Sequence, residues 1–214
     1  MKVHKIKVKT KDSIYPILIG NGAINYLKQQ IKFTCPKTKK VALILDKKIP
    51  SKQKKIIKKQ IRSYSVYTKE YSTSENLKSF SYANSLAEAL LEKNFNRNDT
   101  VIAAGGGIIG DFVGFVASIL KRGVNYLNIP TTLLSQVDAS VGGKTAINSK
   151  KGKNLIGSFY QPSSVIADLS FLKSLPKREL VCGFAEILKY SLIKDKIFFK
   201  WLQKNSKIIL KGKN

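Results

Sequence analysis

The chain has 214 residues, 43% of them hydrophobic, enough apolar material for a packed core, which excludes a disordered polypeptide. No apolar run approaches the ~20 residues that span a bilayer, and the basic start MKVHKIKVKTKDS has no apolar stretch behind it, so it does not read as a signal peptide. The formal net charge of +26 raises a nucleic-acid binder, but only four of the 39 basic residues are arginine and the lysines are spread along the chain, so drift toward lysine explains the charge better than a phosphate-reading surface does.

Two extended stretches at 5–10 and 15–20 predict a hairpin-like pair. Residues 22–32 can be helical, and KKVALILD at 39–46 is a buried-strand run ending in an acid. Pro50 opens a helix over 51–62 whose lysines form a solvated face. A β-rich stretch at 64–70, helical periodicity over 75–93, a strand at 100–107, a helix at 111–121 and a strand at 125–130 follow. The last strand-like run is 164–170. Strands alternating with helices predict an α/β fold with a doubly wound, mainly parallel, Rossmann-like sheet over residues 1–175. Two helical patterns, 176–195 and 196–212, then read as the beginning of an all-helical domain, 176–214, which two amphipathic helices cannot complete alone. Cys35 and Cys182 lie far apart in sequence, fit neither a disulfide framework nor a thiolate metal site, and make a reducing, cytoplasmic setting the expectation.

The turn GGGIIGD at 105–111 follows a strand and opens a helix, and Gly105, Gly107 and Gly110 satisfy G-x-G-x-x-G. Such glycines let backbone N–H groups approach a pyrophosphate at a helix N-terminus, where the dipole favours anions. The plain alternative is a tight turn without a ligand. No carboxylate ends the next strand, NYLNIPTT, so the ribose-side acid is expected to be Asp46, at the end of an earlier strand. The segment 130–162 is too rich in Thr, Gly, Lys and Asn for a mere connection. Thr131 and Thr132 offer hydroxyls and a helix N-cap, and Lys144, Lys153 and Asn154 suit a phosphorylated, polyhydroxylated ligand.

The run GGGIIGDFVGFVASILKRG, IPTTLLSQVDASVGGKTAIN, GKNLIGSFYQP, LPKREL and GFAEILKY, in that order, is very similar to the 3-dehydroquinate synthase family. The resemblance implies NAD and a catalytic divalent metal, zinc or cobalt, acting on a sugar phosphate. The family converts 3-deoxy-D-arabino-heptulosonate 7-phosphate to 3-dehydroquinate and phosphate. It implies NAD contacts from Glu75 and Lys78 in TSENLK, where Ser74 stands in place of the family's glycine, and from Asp46 on the ribose side. The same reading gives the pyrophosphate loop to Gly107, Ile108, Ile109, Gly110 and Asp111, and cofactor or substrate contacts to Thr131, Thr132, Lys144, Lys153, Phe171, Leu172, Lys173 and Ser174. It assigns substrate contacts to Asp138, Asn154 and Lys189, a phosphate contact across a homodimer interface to Arg122, and one metal ligand to Glu186.

Glu186 and Lys189 sit three residues apart on a predicted helix, which by itself reads as a solvated ion pair. The family's two other metal ligands are histidines further along, and the single histidine here is His4, so the chain reads as a fragment, a truncated frame or one piece of a split protein, inactive alone. The rival readings are a cyclase of the inosose or valiolone branch, an iron-type dehydrogenase, a basic nucleic-acid module and a decayed remnant. No membrane partner is expected, and nucleic acid is disfavoured.

Overall fold

In the computed structural model, residues 2–11 and 13–211 are described. A seven-stranded sheet is built from β1 (His4–Lys9), β2 (Ile14–Gly20), β3 (Lys40–Asp46), β4 (Ser65–Tyr71), β5 (Thr100–Gly105), β6 (Asn125–Pro130) and a late strand, β9 (Ser164–Asp168). Its order is β1-β2-β9-β6-β5-β3-β4. Every pairing is parallel except that of β1 with β2.

The helices of the sheet region are α1 (Leu27–Thr34), α2 (Ser51–Ile61), α3 (Phe80–Glu92) and α4 (Gly107–Ile119). Because strand side chains alternate, β3 serves two cores at once. Val41, Leu43 and Leu45 pack with Leu27 and Ile31 of α1 and with Ile57 and Ile61 of α2. Ala42 and Ile44 pack with Leu86 and Leu90 of α3 and with Phe112 and Val116 of α4. Helices thus cover both faces, as a parallel sheet requires to keep its near-continuous apolar strands from water.

The chain leaves β3 through α2 toward the outer strand β4, but leaves β5 through α4 in the opposite direction, toward β6. The winding therefore reverses between β3 and β5, and the carboxyl ends of those two strands flank the crevice where open α/β sheets take ligands.

The segment 130–162, singled out by its composition, is largely ordered structure. Thr132 caps a short helical turn that widens to a π-helix over Ser135–Ala139, and an antiparallel hairpin follows, β7 (Lys144–Ser149) with β8 (Gly152–Phe159). This hairpin lies on α4 and buries that helix's second side. Gly114 makes the approach possible: a Cβ there would come within 2.5 Å of Thr145 Cγ2. Elsewhere the structure shifts expected boundaries. The helix of the glycine turn starts at Gly107 rather than 111, and the 75–93 pattern splits into a 3-10 turn, Glu75–Leu77, and α3.

After a 3-10 stretch, Leu169–Ser174, two consecutive helices that contact each other end the described chain, α5 (Lys177–Lys194) and α6 (Lys196–Lys211). Their apolar residues are unusually exposed: Leu192 at 62%, Ile197 at 84% and Ile208 at 63%. Among the described residues, no helix is long and apolar enough to cross a membrane.

Candidate functional site

A cleft of about 580 Å³ opens at the switch point. Its lining includes Asp46, Thr73, Glu75, Gly106, Gly107, Ile108, Thr131, Thr132, Phe171 and Ser174. Gly106 caps α4 without a side-chain hydrogen bond, so that helix start has no side-chain cap. A helix start of this kind favours an anionic group. A Cβ on Gly107 would meet only Ala139 Cβ at 3.4 Å, ordinary contact, so the bare backbone there is not demanded by packing.

Asp46, buried at the end of β3, is held on both oxygens. The Lys48 amide donates to Oδ1 at 2.9 Å and the Thr73 hydroxyl donates to Oδ2 at 2.8 Å. Across the cleft, the Thr131 amide donates to the Gly105 carbonyl at 2.9 Å, joining the ends of β5 and β6. Thr132 and Ser135 exchange bonds, amide to hydroxyl in each direction, at 3.1 and 3.2 Å. That reciprocal cap fixes the start of the π-helical turn.

Beside the cleft lies a polar network where the hairpin meets the Glu75–Leu77 turn and α4. Lys78 Nζ, almost fully buried, donates to Asp111 Oδ2 at 2.6 Å and to Asn154 Oδ1. Burial pushes the Asp111 carboxyl up from its ordinary value, and the Lys78 ammonium offsets part of that rise. Asn148 Nδ2 donates to Glu75 Oε2 at 2.9 Å, and Lys153 Nζ lies 3.7 Å from Glu75 Oε1. The Asn148 bond, then the two lysines, hold the Glu75 carboxyl below its ordinary value.

A third group sits where α5 crosses the π-helical turn. Tyr190 donates its hydroxyl to Asp138 Oδ1 at 2.6 Å, which raises the phenol's pKa. Lys189 pairs with Glu186 one turn back, and its ammonium lies 4.9 Å over the Tyr190 ring. The Glu186 hydrogen bond raises the Lys189 pKa.

The structure thus brings the expected residues to three adjoining places. Asp46, Glu75, Gly107, Ile108, Thr131, Thr132, Phe171 and Ser174 line the cleft. Lys78, Asp111, Lys153 and Asn154 join the network beside it, while Asp138, Glu186 and Lys189 meet at α5. Ile109 and Gly110 are buried within α4 rather than in the cleft. Three expected cations stand apart. Lys144 is exposed on β7 without an ion pair among the described residues, Arg122 is exposed on a left-handed turn at φ 61°, and Lys173, with Leu172, faces a separate groove under α6 together with Lys207. His4 lies exposed on the outermost strand. Cys35 is buried and Cys182 exposed, both unpaired. Sequence reasoning missed Thr73, Asn148 and Tyr190. The only available signal was their place inside motifs already singled out.

A doubly wound sheet with a glycine turn and cleft at its switch point makes this a Rossmann-like α/β protein. The family pattern described as 3-dehydroquinate synthase N-terminal matches residues 69–182. The 3-dehydroquinate synthase of Pelagibacter ubique (strain HTCC1062) is 50% identical over 214 residues, 100% of this chain and 58% of that protein. Among solved structures, 2-epi-5-epi-valiolone synthase from Streptomyces hygroscopicus subsp. jinggangensis 5008, with NAD+ and Zn2+ bound, matches with a TM-score of 0.82 at 25% identity, over 96% of this chain and 57% of that one. A 2-deoxy-scyllo-inosose synthase complexed with carbaglucose-6-phosphate, NAD+ and Co2+ matches with a TM-score of 0.81 at 25% identity, over 87% of this chain and 50% of that one. The chain belongs to the 3-dehydroquinate synthase family, and it spans 58% of the length of the Pelagibacter relative.

Proposed function

We propose that this chain is the nucleotide-binding part of a 3-dehydroquinate synthase, a carbon–oxygen lyase that turns 3-deoxy-D-arabino-heptulosonate 7-phosphate into 3-dehydroquinate and phosphate. The observation that carries the reading is the switch-point cleft, with an uncapped helix start on one side and a doubly bonded Asp46 on the other. Residues 1–175 form the nucleotide-binding unit in this proposal, and 176–214 begin a helical one. The solved relatives that bind NAD+ share this fold, which supports NAD in the cleft.

The residues present fit such a cofactor. Asp46 would accept from ribose hydroxyls, the α4 amides at Gly107 and Ile108 would take the pyrophosphate, and Thr131 and Thr132 would offer hydroxyls opposite. Bound there, NAD would supply a reversible hydride acceptor for the substrate's C5. Glu75 and Lys78 would orient the nicotinamide side, and Asn154, Asp138 and Lys189 would hold substrate hydroxyls. Lys144 and Lys153 would add positive charge for the phosphate, with Arg122 of a second copy completing that pocket in a homodimer.

A metal does not fit the described residues alone. No group of three His, Cys, Asp or Glu side chains is assembled among them. Glu186 offers one ligand, and it is engaged by Lys189. Catalytic zinc takes about three protein ligands, more than the described residues assemble.

Calorimetric titration of the chain with NAD tests the reading. Gly107→Val should weaken binding by roughly tenfold or more, about 1.4 kcal/mol per tenfold, because its branches enter the cleft while its Cβ is tolerated. Equal binding by both proteins would refute the assignment. The unaided chain should release no phosphate from the heptulosonate phosphate with NAD and zinc present. Robust release would overturn the view that the metal ligands are incomplete.

A further inference from the structure

Asn148 bonds to both the Glu75 side and the Asn154 side of the polar network. Its Nδ2 donates to Glu75 Oε2 at 2.9 Å and to the Glu75 carbonyl at 3.2 Å. Its Oδ1 accepts from the Asn154 amide at 3.0 Å, and its own amide donates to the Lys78 carbonyl at 2.7 Å. These bonds span 73 residues to Glu75 and six to Asn154. Asn154 is held at φ 59°, a left-handed conformation that asparagine tolerates better than most side chains but that still needs support. The Asn148 carbonyl oxygen supplies that support, and the strained backbone then delivers Asn154 Oδ1 to Lys78 Nζ.

We propose that Asn148 is a positioning residue that locks the register of the β7–β8 hairpin against the Glu75–Lys78 turn, so that Glu75 on the cofactor side and Asn154 on the substrate side are set by one amide. The proposal deepens the reading of the cleft as an NAD site and rests on it. Only a carboxamide supplies both the donor and the acceptor this geometry uses. A carboxylate keeps the acceptor for Asn154 but faces Glu75 with like charge; alanine supplies neither.

The experiment measures NAD affinity and melting temperature for the parent chain, Asn148→Ala, Asn148→Asp and Gly107→Val. Asn148→Ala should lose roughly tenfold in affinity while still melting cooperatively. Asn148→Asp should bind poorly at pH 8 and regain several-fold as the pH falls toward 5, because the two facing carboxyls then share a proton. The other charged groups facing Glu75 are Lys78, Lys153 and, through Lys78, Asp111. The parent's own profile accounts for these groups, which every variant shares. A folded Asn148→Ala that binds NAD as the parent does, or an Asn148→Asp profile parallel to the parent's, would overturn the positioning role. Parent and Gly107→Val binding alike would instead sink the cofactor reading beneath it.

Discussion

The switch-point cleft and the α5 corner both gather residues that sequence singled out, but they are built differently. The cleft stands on strands whose side chains are fully buried on both faces, and its buried carboxylate, Asp46, is bonded on each oxygen before any ligand arrives. The α5 corner stands on a helix with only Gly183 and Ser191 buried, beside a second helix with large apolar residues in water. Its ion pair, Glu186 with Lys189, is local to one turn. A preorganised site needs neighbours that are themselves fixed. The first region has them, and the second, among the described residues, has few.

Core truncation gives the largest test of that contrast. Phe112→Ala removes a fully buried ring between the sheet and α3 and should cost about 3–5 kcal/mol. Ile197→Ala, at 84% exposure, should cost less than about 0.5 kcal/mol. Denaturant midpoints would measure both, and comparable losses would mean that α6 is as integrated as α4. Removing Lys78 comes next. Lys78→Ala strands Asp111 and Asn154 without their donor, for roughly 1–2 kcal/mol after allowing for the partial exposure of Asp111. No loss would show that the network is held by the backbone alone. Tyr190→Phe deletes an exposed bond to Asp138 and should change stability by no more than about 0.5 kcal/mol.

The smallest expected effect is a pH signature. The Glu75 carboxyl is held below its ordinary value, so its contribution to stability is complete above about 4.5 and is lost as the pH falls through the lower folded value. Asp111 has the opposite sign, since its raised folded value favours the protonated form and its contribution declines as the pH rises. Glu75→Gln should therefore flatten the acid limb of a melting-temperature profile slightly. An unchanged limb would mean that the Asn148 bond contributes nothing in solution.

Much of the fold was legible in the sequence because it is written in local periodicity. The buried runs at β3, β5 and β6, the amphipathic stretches of α2 and α3, and the strand–glycine–helix order of the turn each declare themselves within about a dozen residues. The 130–162 segment was legible only as composition. Its strands carry alternate small and polar residues, which read as loop until α4 is placed beneath them, and Gly114 has no sequence signal for the close approach it permits. The start of α4 was read four residues late because three glycines suggest a turn, although glycine at a helix start is compatible with capping.

The sequence by itself determined the alternating architecture, the glycine turn, the acid at the end of β3 and, through ordered motifs, the family. Those features depend on residues close together in the chain. Only the tertiary structure decided that Lys78 would meet Asp111 33 residues away and Asn154 76 residues away, and that Asn148 would hold Glu75. The reason is physical. A side chain's bonding partner is set by which elements pack together, and a sequence pattern gives the face an element presents without giving the register at which two faces meet. Here that register was fixed by the reversal between β3 and β5 and by the hairpin's descent onto α4.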